Sequence, residues 1–468
     1  MSKKYDVVVI GAGPGGYVAA IKAGQLGLKV ACVDKAELGG ICLNWGCIPT
    51  KAFLKSAEVY RAMTHAEDYG LKVDGSVSAD LGAIIDRSRG VSGTMTKGIA
   101  FLFQKNNVDH IKATANIVAS NLIEATDAEG NVQTIETANV IVATGASAAA
   151  LPFAPIDGKN IISYRQALSL RDQPKKLLVI GAGAIGTEFG YFFNAIGSEV
   201  HIVEMADQLL PVEDAATAKV LKTQFKKQGI KTYLSTKTKS VEVIADGKIK
   251  VVLENAKGKE TEIEVDRVLS AVGMKANSAG FGLEENGIEL DARGNILVNE
   301  FQQTSSANIY AIGDVAGKQM LAHKASAEGE VAVKHIAGKK PHGVDYGQIP
   351  GCTYCQPQVA SVGLTEKVAK AEGYGLKIGS FPFSASGKAH GVGAPEGLVK
   401  LIFNEETDEL LGAHIVGYDA TEMIAELCLA LKLEATSEEL AHTVHAHPTL
   451  SEAVMECAMD ANKEAIHI

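Results

Sequence analysis

Two cysteines, Cys42 and Cys47, stand five positions apart in Gly39-Gly40-Ile41-Cys42-Leu43-Asn44-Trp45-Gly46-Cys47-Ile48-Pro49-Thr50-Lys51, just after a stretch that reads as a mononucleotide-binding unit. In a regular helix that spacing separates them by about 7.5 Å along the axis, beyond the roughly 7 Å over which two cysteines can be bridged. A disulfide here therefore needs an irregular turn. Gly46 permits one, because glycine adopts backbone angles that other residues avoid, and Pro49 suits the first turn of a following helix. Such a segment can carry an exchangeable disulfide at a helix start, where the dipole lowers a thiol pKa. It can equally carry two buried thiols at a loop-to-helix junction.

A second set of reactive types lies near the far end, in His445-Ala446-His447-Pro448-Thr449-Leu450-Ser451-Glu452. Histidine is the ordinary acid–base side chain near neutral pH. Thr449 and Glu452 also have capping-box spacing, so Glu452 reads as a helix cap as readily as a partner for a histidine. His442, His445 and His447 lack a nearby carboxylate or thiolate that would complete a ligand set, so no metal is expected. Cys352-Thr353-Tyr354-Cys355 has half-site spacing for redox or zinc chemistry, but without a second pair it reads as structural thiols.

The elements that must position these residues begin with two glycine turns. The strand Val7-Val8-Val9-Ile10 runs into Gly11-Ala12-Gly13-Pro14-Gly15-Gly16, an alanine-rich helix follows, and a second strand ends at Asp34. Lys176 to Ile180 runs into Gly181-Ala182-Gly183-Ala184-Ile185-Gly186, and a helix carrying Glu188 precedes a strand that ends at Glu204. From first glycine to acid both repeats span 23 positions. The glycines let backbone approach a pyrophosphate at a helix N-terminus, and the acid can accept bonds from ribose hydroxyls. Two such sites in one chain suggest FAD and a nicotinamide nucleotide. Glu204 favours NAD, because a 2'-phosphate would be repelled there and the following Met205-Ala206-Asp207-Gln208 supplies no arginine. Buried strands ending at Thr144-Gly145, Gly273 and Gly313-Asp314 offer further places where the chain can meet a ligand, although Asp314 could equally cap a helix.

The whole chain has 468 residues, enough for roughly two to four domains, with 46% hydrophobic and 21% charged residues, as in soluble globular proteins. A net charge of −10 argues against nucleic acid or an anionic membrane as a partner. The N-terminus passes directly into a strand without an apolar signal core, and no uninterrupted apolar run of membrane-spanning length occurs. Seven scattered cysteines fit a cytoplasmic protein with one catalytic disulfide better than a secreted scaffold. The pattern predicts a helix over 81–105 interrupted at Gly90, Gly93 and Gly98, a small antiparallel sheet over 108–136, and a linker over 146–155. After Pro341, β-branched strands lead to three helices, the last reaching about Asn462.

Taken in order, Gly11 to Gly16, Gly39 to Lys51, Gly181 to Gly186, Ile312-Gly313-Asp314 and His445 to Glu452 resemble the flavin-dependent pyridine nucleotide-disulfide oxidoreductases over essentially the whole chain. The resemblance implies an α/β fold with two Rossmann-like dinucleotide-binding domains and a C-terminal α+β dimerisation domain. Its divisions are an FAD domain over 1–148, an NAD domain over 149–275, a central domain over 276–346 and an interface domain over 347–468. It implies a homodimer whose active sites are shared across the interface, tightly bound FAD, NAD as co-substrate, and a lipoyl-carrying protein or domain whose dihydrolipoyl group is oxidised. Cys42 would exchange with that group from an exposed position and Cys47 would face the flavin. His447 of the partner subunit would be the base, held by Glu452, and Lys51 would pair with Glu188 beside the flavin ring. The cofactor-binding positions carried over are Gly11, Gly13, Pro14, Gly15, Gly16, Asp34, Lys35, Gly40, Lys51, Thr144, Gly145, Gly181, Gly183, Ile185, Gly186, Glu188, Glu204, Gly273, Asp314, Met320, Leu321, Ala322 and His323. Met274, Ala276 and the bulky Trp45 depart from the family pattern. Ala184, Glu204 and the absence of a C-terminal vicinal cysteine pair stand against a glutathione or mercuric reductase, and the retained reactive residues stand against a redox-inert docking protein.

Overall fold

The computed structural model describes residues 3–468; Met1 and Ser2, the start of the lead-in to the first strand, lie outside it. The chain divides into two compact units, one of residues up to Phe53 with Gly82–Ala149 and Gly273–Val344, the other of Leu54–Leu81, Ala150–Val272 and Asp345–Ile468.

In the first unit, β1 (Lys3–Ile10) lies parallel to β2 (Val30–Asp34) on one side and to the long strand Val132–Val142 on the other. Ile309–Ala311 adds in parallel to the far end of Val132–Val142. Val7–Ile10, Val30–Val33, Val140–Val142 and Ile309–Ala311, the parts of these strands that lie side by side, are buried on both faces, as parallel strands covered by helices must be. The register puts Val33, Ile10, Val142 and Ala311 level with one another. Each strand therefore ends at the same height, and the residues just beyond, Asp34, Gly11, Ala143 and Ile312, share one crevice edge.

Three sequence expectations for this unit need correction. Val108–Lys112 is not part of the antiparallel sheet: it joins β2 in parallel, with Val108 opposite Val30, and only Thr114–Ala119, Leu122–Thr126 and the start of Val132–Val142 form the hairpins. Alternation of apolar residues cannot tell the two directions apart. The helix Leu81–Lys105 is continuous through Gly90, Gly93 and Gly98, since its buried residues Ile85, Ser88, Ser92, Ile99 and Phe103 carry the packing. The stretch taken for a linker contains the strand Ala146–Ala148, which pairs antiparallel with Met274–Ala276. Met274 and Ala276, two departures from the family pattern, thus sit where the backbone ladder makes the contact.

The second unit holds a parallel sheet in the order Lys231–Tyr233, Glu199–Val203, Lys176–Ile180, Arg267–Ser270, Ile161–Ile162, accompanied by a three-stranded antiparallel sheet over residues 236–265. Its C-terminal part is a five-stranded antiparallel sheet, ordered Gly351–Thr353, Gln358–Gly363, Leu410–Gly417, Leu398–Asn404, Leu376–Pro382. The helices Ala420–Lys432, Ser437–His442 and Glu452–Ala461 share one apolar core with that sheet. Among the described residues no helix is long and apolar enough to cross a membrane.

Candidate active site

Cys42 and Cys47 form a disulfide, with their Cα atoms 4.6 Å apart. The expected irregularity is there: α2 (Gly40–Trp45) stops at Gly46, whose φ of −148° and ψ of −113° are not helical, and α3 (Cys47–Thr64) starts afresh. Cys47 is thus the first residue of an 18-residue helix, at its positive end. Cys47 is exposed, while Cys42 is half-buried against the core that underlies the glycine turn. Lys51 lies four residues beyond Cys47 in α3.

The redox segment is braced from the helix Leu81–Lys105. Arg89 Nη1 donates to the Asn44 carbonyl, and its guanidinium lies 4.6 Å over the Trp45 ring. Thr96 Oγ1 donates to Asn44 Oδ1 at 3.1 Å, while Asn44 Nδ2 donates to the carbonyls of Leu38 and Gly40. The bulk of Trp45 is stacked on Arg89 rather than left loose between the cysteines.

The glycine turn beside it has the shape of a phosphate cradle. Gly11 (φ 106°) runs so close to the neighbouring strand end that a Cβ would sit 2.3 Å from the Ala143 carbonyl oxygen, and one on Gly16 would sit 1.9 Å from that of Gly11. A Cβ on Gly13 would meet nothing within 4 Å. Gly13 caps α1 (Pro14–Gln25) without any side-chain bond to the first turn, which leaves backbone N–H groups facing that open space. Gly40 (φ 58°) closes on Gly13, where a Cβ would come 2.6 Å from its Cα. Asp34 accepts the Ala12 N–H at 2.6 Å and the Ala36 N–H at 2.8 Å, one on each oxygen, and each oxygen keeps a lone pair for a hydroxyl. The next residue, Lys35, is exposed.

Small residues let the helix Ala322–Ile336 press against α1: a Cβ on Gly15 would lie 3.0 Å from the Ala325 carbonyl oxygen, and one on Gly329 2.8 Å from that of Gly15. Met320 and His323 are exposed at the start of that helix, with Leu321 and Ala322 half-buried. Asp314 lies in the single turn Gly313–Ala316, where burial pushes its carboxyl upward, Lys324 draws it down and Glu328 raises it again. Thr144 and Gly145 are zipped to Asn277: Thr144 Oγ1 donates to its carbonyl at 2.7 Å, and the Asn277 N–H donates to Gly145 at 2.9 Å. Gly273, at φ 127°, has open space at its Cβ position.

The second glycine turn repeats the close approaches and the acid's hydrogen bonds of the first. Cβ atoms on Gly181 and Gly186 would lie 2.4 Å and 2.0 Å from the carbonyl oxygens of Ala271 and Gly181, whereas Gly183 again faces open space. Glu204 accepts from Ala182 N–H at 2.8 Å and Ala206 N–H at 2.9 Å. Ile185 is half-buried in the first turn of the helix Ala184–Ala195, and Glu188 is buried, accepting the Tyr354 N–H at 3.0 Å. Both turns fit a dinucleotide on the structure's own evidence, since each leaves room only at the middle glycine of the motif.

His447 Nδ1 is 2.8 Å from Glu452 Oε1, and Glu452 Oε2 accepts the Thr449 N–H at 2.8 Å. The Thr449 hydroxyl donates to Ala446 instead of closing a capping box, and Ser451 is the helix N-cap. Burial raises the Glu452 carboxyl, but the Thr449 N–H and His447 outweigh it and hold it below its ordinary value. His442 bonds the Glu438 carbonyl, and His445 bonds Thr443 and Glu426. Among the described residues no three His, Cys, Asp or Glu gather as metal ligands. Cys352 and Cys355 are in no disulfide; Cys355 is buried with its thiol on the Pro357 carbonyl. Sequence reasoning missed Arg89, Asn44, Asn277, Lys324 and Glu328. Only the last two left a signal, an i,i+4 charge pair in a helix whose neighbouring positions are small.

The pattern of the pyridine nucleotide-disulphide oxidoreductases matches residues 5–329, and that family's dimerisation domain matches 349–458. A dihydrolipoyl dehydrogenase of Rhizobium etli is 46% identical over 98% of each chain, and one of Zymomonas mobilis is 46% identical over all of each. The crystal structure of LpdA from Mycobacterium tuberculosis superposes with a TM-score of 0.89 at 28% identity, covering 97% of this chain and 99% of that one. The chain belongs to the pyridine nucleotide-disulphide oxidoreductase family, flavoprotein enzymes that pass electrons between a disulfide and a pyridine nucleotide. Within that family it groups with the dihydrolipoyl dehydrogenases, and its cofactors are FAD and NAD.

Proposed function

We propose that this protein is a cytoplasmic homodimer that oxidises the dihydrolipoyl group of a lipoyl-carrying protein or domain to the cyclic disulfide and reduces NAD to NADH. The observation that carries this reading is the Cys42–Cys47 disulfide across the break at Gly46, seated at the start of α3 beside an open glycine turn. In this reading FAD is held by a domain over 1–148, NAD by one over 149–275, a central domain over 276–346 completes the FAD site and the interface lies over 347–468.

Each side chain then has a task. His447 of the partner subunit takes the proton from one substrate thiol, and Glu452 fixes which ring nitrogen faces the substrate by holding the other. The substrate thiolate attacks Cys42, the Cys42–Cys47 bond breaks, and Cys47 leaves as a thiolate stabilised by the N-terminus of α3. The second substrate thiol displaces Cys42 from the mixed disulfide, so two electrons stay on the cysteine pair and two protons leave the substrate. Bound FAD supplies the two-electron transfer from that dithiol to the nicotinamide. Lys51 places positive charge beside the flavin, and Glu188 supplies the acid of the nicotinamide-side helix. Gly11, Gly13, Pro14, Gly15, Gly16, Gly40, Asp34 and Lys35 hold the FAD diphosphate and ribose. Thr144, Gly145, Asp314 and Met320 to His323 complete that site, and Gly181, Gly183, Ile185, Gly186, Glu204 and Gly273 hold NAD. Glu204 disfavours a 2'-phosphate.

The test is NAD reduction by dihydrolipoamide, measured beside NADPH oxidation by glutathione disulfide. Lipoamide-dependent NADH formation is expected. A protein with intact bound FAD that forms no NADH from dihydrolipoamide sinks the reading.

A further inference from the structure

The helix Ala322–Ile336 carries two charged side chains that solvent does not reach: Lys324 and Glu328 are both 0% exposed. They lie on one helix face with Nζ 3.1 Å from Oε2. Such a pair is a weak source of stability, because desolvation of two ions offsets most of their attraction and apolar replacements often fold as well. Its other bonds give it a different task. Lys324 Nζ donates to the carbonyls of Gly313 and Gly317, each at 3.0 Å, and Glu328 Oε2 accepts the Gly313 N–H at 2.7 Å. Gly313 and Gly317 bracket the turn that carries Asp314, and both have positive φ, 74° and 73°. A turn anchored on flexible glycines at both ends needs such ties to keep one conformation.

We propose that Lys324 and Glu328 are positioning residues for the flavin, their ion pair clamping the Gly313–Ala316 turn so that Asp314 is held ready at the carboxyl end of its strand. The proposal rests on the assignment of Asp314 to the FAD site. The charged groups that act on Asp314 are Lys324 and Glu328 from the helix; Lys318, in the loop before it, is held below its ordinary value by burial, with Glu328 raising it and Lys324 lowering it. Of these, Lys324 is the group that favours the ionised carboxylate of Asp314.

FAD dissociation constants are measured from the fluorescence of flavin released on diluting the holoenzyme, for the unaltered protein, Lys324→Met, Glu328→Gln, Asp314→Asn and the double variant Lys324→Met/Asp314→Asn. Lys324→Met and Asp314→Asn are each expected to weaken FAD by about 10- to 100-fold, the scale of losing a hydrogen bond to a charged group, and Glu328→Gln, whose amide oxygen still accepts the Gly313 N–H, by about threefold to tenfold. The double variant should be no more than about threefold weaker than Asp314→Asn, because the clamp acts through that carboxylate. The Lys324→Met deficit should also grow as the pH is lowered: without the ammonium, Asp314 takes up its proton at higher pH. A loss of packing alone gives additive effects and a deficit that does not change with pH, and either result overturns the clamp. So does unchanged FAD affinity in Lys324→Met or, where that variant does not fold, in Glu328→Gln. Unchanged affinity in Asp314→Asn overturns instead the placement of Asp314 in the FAD site, so the two failures are distinct.

Discussion

Glu452 answers to two neighbours at once, one on each oxygen. Oε1 meets His447 Nδ1 and Oε2 takes the Thr449 N–H, so the carboxylate that holds the proposed base is itself oriented by the start of its helix. Spacing alone left a cap and a histidine partner as alternatives, and the side chain does part of both. His447→Gln is expected to lower kcat by about 10²- to 10⁴-fold, the usual share of a positioned base. Glu452→Gln should lower it less, since an amide oxygen still accepts the Thr449 N–H and holds the loop. The pH dependence has a definite sign. Because the folded Glu452 carboxyl lies below its ordinary value, its contribution to stability is complete above the unfolded value, about 4.3, and is lost as the pH falls through the lower folded value. Thermal melts of the unaltered protein and Glu452→Gln should therefore differ near neutrality and converge in acid. A gap that persists unchanged into acid refutes the assigned shift.

At the scale of elements, the readings that held were those fixed by short-range chemistry: a glycine where φ must be positive, an acid at a strand end, a proline in a first helical turn. Direction and continuity were harder to read. Val108–Lys112 alternates like a hairpin strand, yet it pairs parallel to β2, a ladder that runs on to the Asp34 carbonyl accepting the Ala113 N–H. The helix Leu81–Lys105 carries three glycines, and each lowers its propensity by about 1 kcal/mol. It persists because the buried face, from Ile85 to Phe103, outweighs that loss. The glycines themselves lie where added methyl groups would touch nothing within 4 Å. Gly93→Ala and Gly98→Ala should each raise stability by about 0.5–1 kcal/mol, read as a higher Tm. Lower melting temperatures for both would mean that this face is packed against something in the native assembly.

The whole molecule uses one solution twice. Gly13 and Gly183 cap their helices with φ/ψ of −68°/−178° and −69°/−177°, and each turn is followed by an acid that bonds the N–H of the alanine after its first glycine. That repetition was visible in the sequence because every part of it is local. The Arg89 brace was not, because it joins residues 45 positions apart, and the Lys324–Glu328 pair left only its i,i+4 charge spacing, which says nothing of the Gly313 and Gly317 backbone it ties. The repeat also makes the nucleotide assignment testable without a bound ligand. Gly183 has an extended conformation that alanine adopts without strain, and no atom within 4 Å of its Cβ position. Gly183→Ala should therefore fold and keep its FAD, while the new methyl intrudes where a diphosphate would approach the helix start and raises the KM for NAD by about tenfold or more, a change on the order of 1.4 kcal/mol. Gly186→Ala is the contrast, because its Cβ would lie 2.0 Å from the Gly181 carbonyl oxygen. That variant should lose stability outright, whatever nucleotide is present. If Gly183→Ala keeps the KM for NAD of the unaltered enzyme, the open space at the second turn is not where NAD binds, however closely that turn matches the first.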